Sequence, residues 1–361
     1  MQFGNCGRTA AMLATAMLGG AAFVCFDAGA EAGPVQVQLQ PLHWRSIGPF
    51  RGGRVLTVSG VPGEPHHFYF GAVNGGVWET RDAGRTWAPI FDSAPIGSIG
   101  ALAVAPSDPR VIYVGTGEAD MRSDIAQGEG MFRSNDSGHT WQPIGLEDSQ
   151  QIGRILVDPT NPDVVLVAAL GHPYGGNELR GVFRSADGGK NWQRTLYKDA
   201  DSGAIDLVAE PGAPNTVYAS LWQTRRPPWN VYPPSSGPGS GLYKSGDGGQ
   251  TWTALTGHGL PEMPGRIGIA ISRAKPQRVF ALIDAVDGGL YRSDDRGSSW
   301  MRLSSDSRIW KRGWYFGGIT VDPSNADVVY VCNTAVYRSD DGGRASSPSR
   351  VHRVAMTITS C

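Results

Sequence analysis

Charge is scarce in this sequence. Only 18% of its 361 residues are charged, and 32 basic against 33 acidic residues leave a formal net charge of −1. Such a balance gives no broad attraction to a polyanion, which argues against a nucleic-acid partner or an anionic lipid surface. Cysteine is rarer still. Cys6 and Cys25 lie within the first thirty residues, and the remaining pair, Cys332 and Cys361, is too few for a disulfide framework. Cys332 sits in an apolar, strand-like run and reads as a small core residue. Beyond the N-terminus no apolar run is long enough to span a bilayer. The chain also lacks CxxC and HExxH spacings, a phosphate loop and a Gly-X-Ser-X-Gly elbow, so neither metal nor cofactor is expected.

The first thirty residues stand apart. Arg8 precedes an alanine-rich run from Ala10 to Phe26, and Ala28-Gly29-Ala30 offers small residues for cleavage. That layout is a secretory signal over residues 1–30, implying a secreted or periplasmic mature chain. The alternative is a short membrane anchor, but the run is only about 17 residues and is interrupted by Gly19-Gly20.

What the chain has in abundance is turn-formers and aromatics, with 50 Gly, 25 Pro and 11 Trp beside a 40% hydrophobic content. Many tight turns among large apolar side chains fit short strands and fit helices poorly. Self-similarity sharpens this. The octet Thr80-Arg81-Asp82-Ala83-Gly84-Arg85-Thr86-Trp87 recurs from Ser134 to Trp141, Ser185 to Trp192, Ser245 to Trp252 and Ser293 to Trp300. A sixth copy begins at Ser339-Asp340-Asp341-Gly342-Gly343-Arg344 and breaks off. Asp82, Asp136, Asp187, Asp247, Asp295 and Asp341 therefore recur about every 50 residues.

Two further motifs keep step. Runs such as Val157-Asp158-Pro159-Thr160-Asn161-Pro162 followed by Val164 to Val167 read as strand, Pro-rich turn, strand. Short aromatic strands such as Gly181-Val182-Phe183-Arg184 precede each octet, and the octet Trp opens a fourth strand. Four short antiparallel strands per repeat, A to D, make a propeller blade. The expected fold is all-β: a propeller of about six four-stranded blades, six or seven, over residues 42–344, with octet turns between strands C and D. In each turn the Asp is expected to accept a backbone N–H two residues on, making the six aspartates structural, while Gly admits positive φ.

The octets resemble Asp boxes, the BNR repeats of sialidases, sortilin-type receptors and family-74 xyloglucanases. Gly48-Pro49-Phe50-Arg51-Gly52-Gly53-Arg54-Val55, Gly115-Thr116-Gly117-Glu118 and Ser240-Gly241-Leu242-Tyr243-Lys244-Ser245 resemble the bacterial sortilin-like branch labelled glycosyl hydrolase. This resemblance implies the propeller fold far more specifically than any activity. It also implies where a family-74 enzyme keeps its catalytic base, in an early Asp-X-Gly-Gly turn. The matching place here is Val73-Asn74-Gly75-Gly76, without a carboxylate, and the acid partner in that family comes from a second propeller.

The end of the chain reads two ways. Ala345-Ser346-Ser347 replaces the expected Thr-Trp, so blade six is expected to lack its D strand, which Trp44-Arg45-Ser46-Ile47-Gly48 would supply in a closed ring. Alternatively the tail 345–361 marks a truncated or frame-shifted C-terminus.

Loop lengths indicate the functional face. A–B and octet turns are short and uniform, whereas the B–C segments Gly115–Gly130, Ala169–Gly181 and Leu221–Gly241 are long and varied. Candidate ligand contacts there and at the A strands are Arg51, Arg54, Asp120, Arg154, His172, Trp222, Arg226 and Trp229, with Trp beside Arg suited to stacking on sugars or peptides. Glu118 and Glu129 are the candidate catalytic pair, since glycoside hydrolysis uses two carboxylates. The expected role is a secreted propeller binding peptide, protein or glycan; the alternative is a glycoside hydrolase, xyloglucanase- or sialidase-like, acting on polysaccharide.

Overall fold

The computed structural model describes residues 53–345 apart from Ser123 and 228–235, together with the backbone of the strand Ser347–Pro348. Six four-stranded antiparallel sheets follow one another along the chain, each in simple A-B-C-D order. The inner strands are Arg54–Val61, Ile99–Val104, Ile152–Val157, Ser202–Glu210, Ile267–Ile271 and Gly318–Val321. This is the all-β, six-bladed propeller expected, with almost no helix beyond the single turn Ser307–Trp310. The signal segment 1–30 and the strand-like Trp44–Gly48 lie outside the described residues.

The octets make the C–D turns. In blade two the Ser134 hydroxyl donates to Asp136 Oδ1 at 2.7 Å and accepts from Gly138 N at 2.8 Å. Asp136 Oδ1 accepts from Thr140 N at 2.9 Å, and Oδ2 from the Thr140 hydroxyl at 2.7 Å. The carboxylate thus caps the chain four residues on, not two, because Ser137 and Gly138 both adopt positive φ (61° and 87°) and turn the intervening amides away. The indoles of blades two and three wedge against the preceding blade: Trp141 Nε1 donates to Ile90 O at 2.7 Å and Trp192 Nε1 to Ile144 O at 2.6 Å.

These capping bonds set a pH expectation. Hydrogen bonds from the residue four positions on hold Asp82, Asp136 and Asp187 down to about 2. A depressed folded-state pKa contributes stability above the unfolded value near 4 and loses it as pH falls through the folded value. The turns are solvent-exposed, so each contributes weakly. The melting temperature should hold steady above about pH 4 and fall between about pH 4 and 2. A melting curve flat down to the lower limit would contradict this cap.

Blade six corrects one expectation. Its D strand exists: Ser347 and Pro348 pair with Arg338 and Tyr337. Asp341 still caps the turn by accepting from Ala345 N at 3.0 Å, although no Thr or Trp follows. Cys332 is buried as expected, but disulfide-bonded and not a free thiol.

A further in-phase feature places the axis. Gly100, Gly153, Gly203 and Gly268 sit near the start of the inner strands, facing backbone of another blade. A Cβ on Gly100 would meet Ile152 O at 2.3 Å, and one on Gly268 would meet Gly317 O at 2.1 Å. Only glycine lets the inner strands converge this closely. Between them, five apolar clusters fill the junctions from blade one through to blade six.

Candidate functional site: the loop face and its axial mouth

The B–C segment of blade two, 117–130, closes the loop end of the axis. Its sequence Glu118-Ala119-Asp120-Met121-Arg122 alternates charged and apolar residues, and the two sets part company. Ala119 and Met121 bury into a cluster with Leu170, Ile205 and Trp222, against which Trp314 packs. Glu118 and Asp120 pair with arginines of different blades. Glu118, fully buried, accepts from Arg54 Nη2 at 2.6 Å and from Ala126 N at 3.1 Å, while its own N–H donates to Gln151 Oε1. Asp120 accepts from Arg266 Nη1 at 2.6 Å. Met121 N donates to Trp314 O at 3.0 Å, and Arg226 Nε to Arg122 O at 2.6 Å. The segment is therefore moored to blades one, three, four and five and to the connection entering blade six.

Burial pushes both carboxyls up, with the facing arginine opposing it in each case. Below the plug, Arg154 Nε donates to Asp206 Oδ1 at 2.8 Å in an axial channel also lined by Leu56, Ile205, Arg266 and Ile319. Asp206 Oδ2 meanwhile accepts from Ile269 N at 2.9 Å, joining blade four to blade five.

Outside the mouth, the loops of blades three and four gather around one side chain that the sequence did not single out. Arg180 is fully buried, and its guanidinium donates only to carbonyls: Leu170 O at 2.6 Å, Gly175 O at 3.0 Å, Asp201 O at 3.3 Å, Thr224 O at 3.5 Å and His172 O. Burial holds its pKa down to about 10, so it stays charged at neutral pH. Around this hub His172 Nε2 faces Asp148 Oδ1 at 2.9 Å, Arg225 pairs with Asp201, and Tyr174 is 48% exposed. Arg194 lies over the Tyr197 ring at 3.8 Å.

The nominated residues thus separate. Arg54, Glu118, Asp120, Trp222 and Arg226 come together as the plug. Trp222 and Arg226 are buried, so neither offers a surface for stacking on a ligand, contrary to expectation. Glu118 and Glu129 occupy unlike environments: Glu118 is buried against Arg54, whereas Glu129 is exposed, with its backbone N–H on Thr116 Oγ1 at 2.7 Å. Arg154 belongs to the channel and His172 to the blade-three perimeter. Arg51 and Trp229 lie outside the described residues. Among the described residues no group of His, Cys, Asp and Glu could hold a metal ion.

No protein-family model matches the chain. A xyloglucanase of a Paenibacillus species is 25% identical over 266 residues, covering 64% of this chain and 25% of that protein. A xyloglucanase of Acetivibrio thermocellus is 24% identical over 368 residues, covering 84% of this chain and 39% of that one. Among solved structures, the GH74 xyloglucanase of Xanthomonas campestris superposes with a TM-score of 0.59 at 18% identity, over 82% of this chain and 46% of that chain. The chain spans about a quarter to two fifths of the length of these curated relatives. What it is similar to, in sequence and in fold, is the propeller of GH74 xyloglucanases.

Proposed function

We propose that this chain acts on polysaccharide as a xyloglucanase-like glycoside hydrolase propeller, holding glycan on its loop face beside blades two and three. The similarity to xyloglucanases carries this reading, ahead of a peptide- or protein-binding role. The loop face supports it physically. With the axial mouth plugged, the open polar surface is the perimeter around His172, Tyr174 and Glu129, and an exposed Tyr suits stacking on a sugar ring. Because the turn at Asn74 has no carboxylate and Glu118 is committed to Arg54, Glu129 is the carboxylate proposed to face substrate. An Asp-box propeller of the secreted kind fits an extracellular polymer as its substrate.

The test is incubation of the full chain with xyloglucan, scoring reducing ends and affinity-gel retardation together. Turnover that falls at least about a hundredfold in Glu129→Gln, with retardation kept, is the expected result. Retardation without turnover would leave a glycan-binding propeller and sink the hydrolase reading. Neither signal would sink both.

A further inference from the structure

Two arginines on the axis keep donors that the protein around them does not use. Arg154 stands on the inner strand of blade three, where the strands converge, yet its side chain is 44% exposed. That exposure is to the axial channel, which Arg154 lines. Its Nε donates to Asp206 Oδ1 at 2.8 Å, whereas its two terminal nitrogens have no acceptor among the described residues. Arg266, immediately before the inner strand of blade five, lines the same channel. Its Nη1 is taken up by Asp120, Gly313 O and Tyr315 O. Its Nε and Nη2 have no acceptor among the described residues. Nε lies over Gly317, 2.7 Å from where a Cβ would stand, so only a glycine there leaves this edge of the guanidinium its place on the channel.

The rest of the wall favours an anion over a cation. Two guanidiniums and one carboxylate, Asp206, are the charged groups that line the channel. That carboxylate is already committed. Besides Arg154, its Oδ1 accepts from Leu207 N at 2.9 Å, and its Oδ2 accepts from Ile269 N at 2.9 Å. Glycine backbone and apolar side chains such as Ile205 and Ile319 make up the remainder. The cavity measures about 60 Å³, roughly the share of two water molecules in the liquid. A small oxyanion fits that space and a sugar ring does not. Such an anion is also what the edge of a guanidinium binds best, through paired charge-assisted hydrogen bonds.

We propose that the axial channel is a site for one small oxyanion of the sulfate, phosphate or carboxylate class, held by Arg154 of blade three and Arg266 of blade five. One ligand shared by two blades fastens the inner strands where glycine has removed side-chain packing between them. The site is separate from the perimeter around His172, Tyr174 and Glu129, and it does not depend on the polysaccharide reading.

Equilibrium dialysis of the full chain against labelled sulfate, at constant ionic strength, tests this. One sulfate per chain should bind saturably, phosphate and acetate should displace it, and xyloglucan oligosaccharides should not. Arg154→Lys keeps a cation opposite Asp206 but loses the fork of donors, so sulfate affinity should fall at least about tenfold. Should that variant lose its strand circular dichroism, the wild-type chain gives a second reading. Sulfate should slow phenylglyoxal modification of Arg154, followed by peptide mass spectrometry, and leave unchanged that of Arg85, which is exposed in the octet turn of blade one. Absence of saturable sulfate binding overturns the proposal, as does binding that Arg154→Lys leaves intact or Arg154 labelling that sulfate does not slow. Displacement by xyloglucan oligosaccharides would move the anion to the loop face and overturn it too.

Discussion

Replacing Arg180 with Met should destabilise the loop face by about 5 kcal/mol, and Lys in its place should recover little of that. The argument rests on what the guanidinium satisfies. Five carbonyls from three loop segments converge on it, and no carboxylate is among them. A buried carbonyl stripped of its donor costs about 1–3 kcal/mol. Asp201 O keeps a second donor, Thr224 N at 3.1 Å, so the loss falls chiefly on Leu170, His172 and Gly175. Lys carries three donors on a compact head and cannot span that fan of acceptors. The loss should be local first. Amide exchange should accelerate at 171–177, 200–201 and 224, while the strands Val165–Ala169 and Gly181–Ser185 exchange more slowly. Exchange unchanged at those loops in Arg180→Met would refute the hub.

That hub also shows where the sequence stops being legible. The blades could be read because their determinants are local and periodic: an Asp capping a turn, a Gly at positive φ, a Trp opening the next strand. Four more glycines, Gly100, Gly153, Gly203 and Gly268, keep the same phase and were overlooked, although they report the convergence of strands on the axis. Arg180 left no such trace, since its partners are backbone carbonyls and any residue type supplies those. The D strand of blade six was missed for a related reason, as its pairing is through backbone and its residues are Ser and Pro. Long loops misled in the other direction. Trp222, Arg226 and Glu118 have the composition of an exposed binding surface, yet Trp222 lies in the strand Ala213–Gln223 and the loops carrying Arg226 and Glu118 fold inward, so all three are buried. The alternation of Ala119 and Met121 with Glu118 and Asp120 was the available sign that one edge of that loop faces inward.

The plug yields the second large effect. Asp120→Asn should cost about 3–5 kcal/mol, while the double substitution Asp120→Asn with Arg266→Met should cost less than the single one. Both side chains are nearly buried, Arg266 being 13% and Asp120 7% exposed. Removing only the carboxylate strands a guanidinium close to the Trp222 ring, with Gly313 O and Tyr315 O as its remaining acceptors at 3.5 and 3.3 Å. Removing both charges leaves a Met able to pack on Trp222 and Met121 at modest cost. The other mooring behaves differently. Arg54 is 25% exposed, so water can solvate it when Glu118 is lost, and Glu118→Gln should cost less than Asp120→Asn. A thermal double-mutant cycle measures the comparison directly. If the double variant is as unstable as the sum of its singles, the pair is uncoupled. The plug would then be held by Ala119, Met121 and Trp222 alone, with Arg266 a bystander to them.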